Sequence, residues 1–544
     1  MSQSVAIFGG GVAGLTAAHE LIERGYRVSV YERRDIYGGK ARSMGIGEPG
    51  VDGRHPLPGE HGFRFFPSFY RHLQDTMKRI PFGDNPKGVY DNLVATKQVL
   101  IARAGAAEIQ LPANLPDSMG DWINVFRVMF GDMLGIPRHE ILFFIDRMLQ
   151  ILCACEERRL DEYEQIPWWD FIEADTKSTE YQNLLGRGLT RSLVAMQAEK
   201  SSTRTVGVIY LQLVFGVAAP WLDADRLLDG PTNDVWIDPW VQYLTQLGVN
   251  FCPETTIEAF DCDGEEITGV RANGPNGTFE VSADYYIAAL PVEAMIDLVT
   301  PIMKEGAPSL ANLDLLETSW MNGIQYFLDR DVPLAHGHGI FIHSEWALTT
   351  VSQGQFWKDV DLSRYGDGRV DGILSVCISD WDTPGLLYGK PASQCSPQEI
   401  KDEVWAQLEV HINDSARPIL HEANILDWHL DPAISYPDPG SPDAAVNAEP
   451  LLINTVGSWE HRPEAVTGLD NFFVASDYVR TNTDLATMEG ANESARRAVN
   501  GILERGNSRE RRCKIWTLDE PPIFAPMRVY DRLRYEMGLG QAGR

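Results

Sequence analysis

Gly9, Gly11 and Gly14 stand at the spacing G-x-G-x-x-G, and Glu32 follows at roughly the 20-residue distance such a turn calls for. These residue types at these intervals suit the binding of two phosphates and a ribose. The first glycine permits a tight turn, the second lets a pyrophosphate approach the backbone, and the third lets a helix pack close to a strand. A helix opening at the turn offers free N–H groups and a partial positive charge to the phosphates. A carboxylate at Glu32 accepts both ribose hydroxyls and repels a 2′-phosphate, which disfavours NADP. The plain alternative is a glycine-rich tight turn beside a surface glutamate.

A second group follows at once. Gly38 and Gly39 let the chain cross close to a bound dinucleotide, and Lys40 and Arg42 supply cations near a pyrophosphate. Simple NAD dehydrogenases do not need this extension, whereas flavoproteins of the two-dinucleotide-domain type carry it.

The elements that must position these residues are legible. "VAIFG" is an apolar strand, and Ala13 to Arg24 places Leu15, Ala18, Leu21 and Ile22 on one side of a helix that Gly25 ends. "RVSVYE" is the next strand and delivers Glu32. Residues 59 to 80 read as a short strand and an amphipathic helix. From about 115 to 220 the chain is strongly helical and rich in Met, Phe, Trp and Leu. Residues 225 to 290 return to the opening style and hold a β-meander, with a hairpin turn expected at Asn276-Gly277. The meander closes on an apolar strand, Tyr285 to Ala289. Residues 315 to 445 mix strands and helices. A proline-rich loop then leads to the strand "NFFVASD" and the helix "TMEGANESARRAVNGILERG".

Four blocks of this chain resemble FAD-dependent amine oxidases and carotenoid desaturases. They are residues 5 to 43, "EHGFRFFPSFYRHLQDTM", "VWIDPWVQYLTQLGVNFCPETTIEAF" with "ADYYIAALP", and "LDNFFVASDYVRTNTDLATMEGANESARRAVNGIL". The second is similar to a stretch of plant- and cyanobacterial-type phytoene and ζ-carotene desaturases. The fourth points to the desaturase branch, with hydroxysqualene dehydroxylases as further relatives. The resemblance implies an α/β fold: a discontinuous Rossmann-type FAD-binding domain from residues 1–112, 225–300 and 451–506, with a helical insertion at 113–224. A substrate domain of sheet and helices at 301–450 and a tail at 507–544 complete it.

The same resemblance implies FAD as cofactor. It places Ile257 on the adenine side and Asp477 at the ribityl or pyrophosphate region. It aims the helix starting near Met488 at the flavin N1–C2=O edge, where a helix N-terminus favours the negative charge of reduced flavin. Gly62, Phe63, Arg64 and Phe65 pass beside the isoalloxazine, with Arg64 facing either the flavin or a polar end of the substrate. Ser476 stands where the family commonly has glycine, and Glu489 is read as structural. The expected reaction is desaturation or dehydroxylation of a small apolar, isoprenoid- or carotenoid-like substrate by hydride transfer. The alternatives are a flavin amine oxidase and a non-enzymatic prenyl binder like Rab escort proteins. The residues name no catalytic acid or base, and oxygen and a quinone both fit as electron acceptor.

Composition removes other classes. A formal charge of -30 argues against nucleic-acid binding, which needs clustered cations. The seven scattered cysteines form no CxxC pair, suggest neither zinc nor disulfides, and fit a reducing, cytoplasmic setting. No metal site is expected, since His336 and His338 read as strand and loop residues. A first strand beginning so early predicts no signal peptide. The uncharged run Val206 to Leu222 reads as a buried helix or the wall of an apolar pocket. The locally basic tail reads as a solvated final helix or as a surface for peripheral membrane contact.

Overall fold

The computed structural model describes residues 2–47, 50–112, 135–194, 196–218, 225–413, 418–438 and 444–542. Strand β1 (Ser4–Phe8) feeds helix α1 (Val12–Ile22), and the chain returns as β2 (Arg27–Tyr31). Val5 to Phe8 are buried because β1 is the middle strand of a parallel sheet. Its neighbours come from remote parts of the chain: β3 (Asn250–Cys252), β4 (Tyr285–Ala288) and β5 (Phe472–Val474). The order is β5-β4-β1-β2-β3, and every pairing is parallel. Helix α2 (Met488–Arg505) lies against α1. Asn492 Nδ2 ties them, donating to Thr16 Oγ1 at 2.8 Å and to Thr76 Oγ1 at 3.0 Å. The discontinuous α/β sheet expected from the sequence is therefore present.

The meander comprises Thr256–Cys262, Ile267–Gly274 and Gly277–Val281. Gly274 pairs with Gly277, so the tight turn is Pro275-Asn276, one residue earlier than expected. Pro275 pre-sets the φ that the first turn position needs, and Gly277 takes φ +100° as it starts the return strand.

A second, seven-stranded sheet runs Ile425–Leu430, Asn322–Leu328, Gly372–Ile378, Thr349–Ser352, Gly337–Ile342, Gln98–Arg103, Ala106–Pro112. Helix Pro397–Ile412, opened by a Ser396–Glu399 capping box, covers one face, with Trp405 against Tyr326 at 4.9 Å. The opposite face carries Thr349 directly across from Cys377.

Helices Arg138–Cys153 and Thr203–Ala218 build much of the described helical layer. Trp168 stacks on Tyr210 at 5.2 Å, and Phe144 meets both edge-on. Most of the expected helical tract "NVFRVMFGDMLGI" lies outside the described residues, as does the end of the uncharged run after Ala218. Among the described residues no helix is long and apolar enough to cross a membrane. The tail helix, Ala525–Glu536, is docked rather than merely solvated. Its buried Asp531 accepts the Cys155 N–H at 2.9 Å and Arg158 Nε at 3.1 Å.

Candidate functional site

The turn after β1 is shaped by contacts that a side chain would break. A Cβ on Gly9, whose φ is +105°, would lie 2.3 Å from the Ala289 carbonyl oxygen, and one on Gly14 would lie 1.9 Å from the Gly9 carbonyl oxygen. Gly11 is the open member: a Cβ there meets nothing closer than Gly39 Cα at 3.6 Å. The Gly38-Gly39 segment crosses beside it, with the Gly38 N–H donating to the Gly10 carbonyl at 2.9 Å. Glu32, at the end of β2, accepts the Gly10 N–H at 2.7 Å on one oxygen and the Arg34 N–H at 3.0 Å on the other. Each carboxylate oxygen keeps a further lone pair for a ligand hydroxyl.

One cavity of about 560 Å³ runs from this turn across the molecule. At one end it is lined by Gly9, Gly11, Glu32, Thr255 and Ile257, and further on by Lys40, Ser476, Asp477 and Met488. Met488 opens α2. Thr487 caps that helix by accepting the Gly490 N–H at 3.1 Å, and the first-turn N–H groups have no intrahelical acceptor. Beyond α2 the cavity becomes an apolar chamber walled by Phe63, Phe65, Phe69, Ile209, Tyr210 and Leu213.

The segment Gly62 to Phe65 lies flat on the seven-stranded sheet: a Cβ on Gly323 would sit 2.8 Å from Gly62 Cα. Burial lowers the Arg64 pKa from its ordinary value. Three sheet residues reach the same chamber: His338, Thr349 and Cys377. His338 is packed between the rings of Phe63 (5.2 Å) and Phe65 (5.0 Å), and burial pushes its pKa down to about 4, leaving it neutral near pH 7. Burial pushes the Cys377 thiol up to about 11, which makes it inert as a nucleophile.

The profile of the flavin containing amine oxidoreductase family matches residues 12–503. The chain belongs to that family. It is an FAD-dependent oxidoreductase, which removes the non-enzymatic alternative. Curated relatives include a probable zeta-carotene desaturase and a 15-cis-phytoene desaturase of Synechococcus elongatus. Each is 22% identical, over 92% and 93% of this chain and 98% and 97% of their own lengths. A zeta-carotene desaturase of Arabidopsis thaliana is 23% identical over 92% of this chain and 85% of its own. Solved structures of the same fold include a putrescine oxidase bound to putrescine (TM-score 0.60, 12% identity, 93% of this chain and 99% of that one). The cyclohexylamine oxidase of Brevibacterium oxydans is another (TM-score 0.57, 13% identity, 93% and 100%).

Within this flavoprotein, Gly9, Gly11, Glu32, Gly39, Lys40, Phe63, Arg64, Phe65, Ile257, Asp477 and Met488 all line the one cavity. Gly14, Arg42 and Gly62 stand behind its wall. Gly14 packs α1 on the turn. Arg42 is buried just behind the lining: its guanidinium bonds the Gly39 carbonyl at 2.8 Å and Glu449 at 2.8 Å, both of which line the cavity, so it braces the Gly38–Lys40 turn. Gly62 gives the chain room beside Cys377 Sγ, 3.4 Å from where its Cβ would be. Lys40 Nζ donates to the Pro450 carbonyl and lies 3.4 Å from Glu293, so its charge is partly spent within the protein. Glu489 is structural, as expected. It accepts the Arg71, His72 and Leu73 N–H groups at 2.7, 2.8 and 2.9 Å and His72 Nδ1 at 2.7 Å. Sequence reasoning missed His338, Thr349 and Cys377 as chamber residues. The "HGHG" repeat singled out His338, but only strand register brings it to the cavity.

Proposed function

We propose that this oxidoreductase holds FAD along the cavity and transfers hydride between it and an apolar, isoprenoid- or carotenoid-like substrate seated in the chamber. The adenosine end is assigned to Glu32 and Ile257, the pyrophosphate to the Gly9–Gly14 turn and Asp477, and the redox ring to the start of α2 beside Gly62–Phe65. The residues present suit that group. The glycine turn is open only where phosphates need it, at Gly11. Glu32 has acceptor capacity left, and the first turn of α2, opened by Met488, borders the same cavity. Ser476, in place of the family's usual glycine, is accommodated by donating its hydroxyl to Asp477 at 3.2 Å. Bound there, FAD supplies the hydride acceptor or donor that no side chain can supply.

The chain's own contribution is position and dryness. The helix start favours negative charge on the ring edge that it faces. The aromatic and aliphatic wall excludes water and accepts a long, greasy molecule. The observation that carries the reading is the continuity of the two regions, a dinucleotide groove opening into an apolar chamber. The desaturase relatives support the substrate class. Amine oxidation is the competing reading, and the Arg64 cation in the chamber is an unfavourable neighbour for a protonated amine. We assign residues 1–95, 225–300 and 451–506 to the cofactor domain; residues 98–112, expected there from the sequence, pair into the seven-stranded sheet and join 113–224 and 301–450 on the substrate side. Peripheral membrane contact is assigned to the tail helix, where Met527, Val529, Tyr530 and Leu533 are exposed beside Arg532.

The test is a product assay. Purified yellow protein, given a panel of isoprenoid hydrocarbons, alcohols and acids that includes phytoene and ζ-carotene, under anaerobic conditions with a quinone, should shift the absorbance of at least one of them to longer wavelength. Hydrogen peroxide from putrescine or cyclohexylamine in air, with no change in any isoprenoid, would overturn the reading.

A further inference from the structure

The chamber is apolar except on its sheet floor. There, three polar side chains line it and carry buried atoms that the protein leaves unpartnered: Arg64 Nε, His338 Nε2 and Thr349 Oγ1. His338 is only 5% exposed and Thr349 is fully buried. Arg64 donates to the nearby Gly62 carbonyl, and among the described residues it forms no ion pair. The carboxylates that act on it electrostatically are committed elsewhere. Glu60 is held by the Thr232 N–H and hydroxyl at 2.9 and 2.8 Å, and Asp431 by His61 at 2.9 Å and Asn322 at 2.6 Å. A pure hydrocarbon would press against a guanidinium, an imidazole and a hydroxyl and leave all three desolvated. Buried polar groups are rarely left so. A ligand head group that reaches those atoms supplies the missing bonds.

We propose that Arg64, His338 and Thr349 form a subsite for a single carboxylate at the end of an otherwise apolar substrate. The proposal rests on the apolar-substrate reading above and narrows it. Arg64 forms no ion pair among the described residues, so a single carboxylate is the partner that its planar fork matches. The other cations lining the cavity, Arg33, Arg34 and Lys40, lie beside Glu449 or Glu293 at the cofactor end, which leaves Arg64 as the cation for a ligand in the chamber. His338 stays neutral and Thr349 carries a hydroxyl, so both add hydrogen bonds without adding charge.

The test uses the FAD-loaded protein and three probes of one chain length: farnesoic acid, farnesol and farnesene. Binding is read from perturbation of the flavin absorbance, with the FAD affinity of every variant measured separately. In the wild type the acid should bind at least tenfold more tightly than farnesol or farnesene. In the FAD-loaded protein Arg64→Met should erase that preference while changing farnesene binding less than threefold. Arg64→Lys should restore part of the preference, and Thr349→Val should weaken it severalfold. Equal binding of acid and farnesene by the wild type overturns the proposal, as does a preference that survives Arg64→Met. Loss of FAD from both Arg64 variants overturns it too, because Arg64 would then serve the cofactor. If none of the three probes binds, the apolar-substrate reading falls, and the subsite with it.

Discussion

Replacing Glu489 by Gln tests how the flavin helix is anchored. Glu489 sits in the first turn of α2, is 1% exposed, and takes four hydrogen bonds from the start of the helix His72–Met77. The best an amide can do is turn its oxygen toward the Arg71 and His72 donors. Its NH2 group then faces the Leu73 N–H, and that bond becomes a donor–donor contact. Losing one charge-assisted bond while burying its donor costs about 1.5–3 kcal/mol, and the remaining bonds weaken as the charge goes. The expected total is about 2–4 kcal/mol. His72 reports the same change, because its Nε2 accepts the Trp516 N–H at 2.9 Å and its Nδ1 proton must therefore go to Glu489. Urea unfolding followed by tryptophan fluorescence, with FAD retention measured after gel filtration, reads both consequences. Thr487→Ala is the internal scale: it removes one cap bond at the same helix start and should cost about 1 kcal/mol. If Glu489→Gln proves no more destabilising than Thr487→Ala, the anchoring argument is wrong.

Other outcomes follow from single observations. Gly14→Ala places a methyl 1.9 Å from a backbone oxygen, so the purified protein should lack the yellow flavin bands and unfold at lower urea. Glu60 is buried, and burial raises its carboxyl to about 7 from an ordinary 4.5. The folded state therefore holds the extra proton, and stability should fall by about 3 kcal/mol as pH rises from about 4.5 to about 7. Glu60→Gln, which keeps an acceptor for Thr232, should remove that slope from the urea midpoints, and an unchanged slope would reject the assignment. Liposome flotation should carry the protein with anionic vesicles, and Val529→Asp with Leu533→Asp should leave it at the bottom of the gradient.

What the sequence discloses and what it hides follow from how each feature arises. The Gly9–Gly14 turn is legible because backbone geometry forbids other residues there. Glu32 is legible because the strand length before it is set by the same unit. The start of α2 is legible because capping by Thr487, the cavity wall at Met488 and anchoring by Glu489 crowd into three consecutive residues. The chamber floor is hidden. His338, Thr349 and Cys377 lie on three strands, and nothing local says that Thr349 pairs with Cys377 or that His338 shares their face. The partner of Arg42 is hidden for a related reason: Glu449 lies in a proline-rich stretch that no periodicity ties to the opening turn. The hairpin offset at Pro275 shows the limit of dipeptide signals when a proline precedes them.

The wide sequence gaps in the parallel sheet have a consequence for synthesis. At about 5–20 residues per second, roughly 10–40 s separate the emergence of Ala288 from that of Phe472. Throughout that interval the nascent chain carries β4 as an open edge, ready to pair with a neighbour on the polysome. The cavity lacks its Met488 wall until that residue has left the ribosome. A chain stalled before that point is a half-built sheet in need of a chaperone, and cofactor uptake becomes the last event of folding.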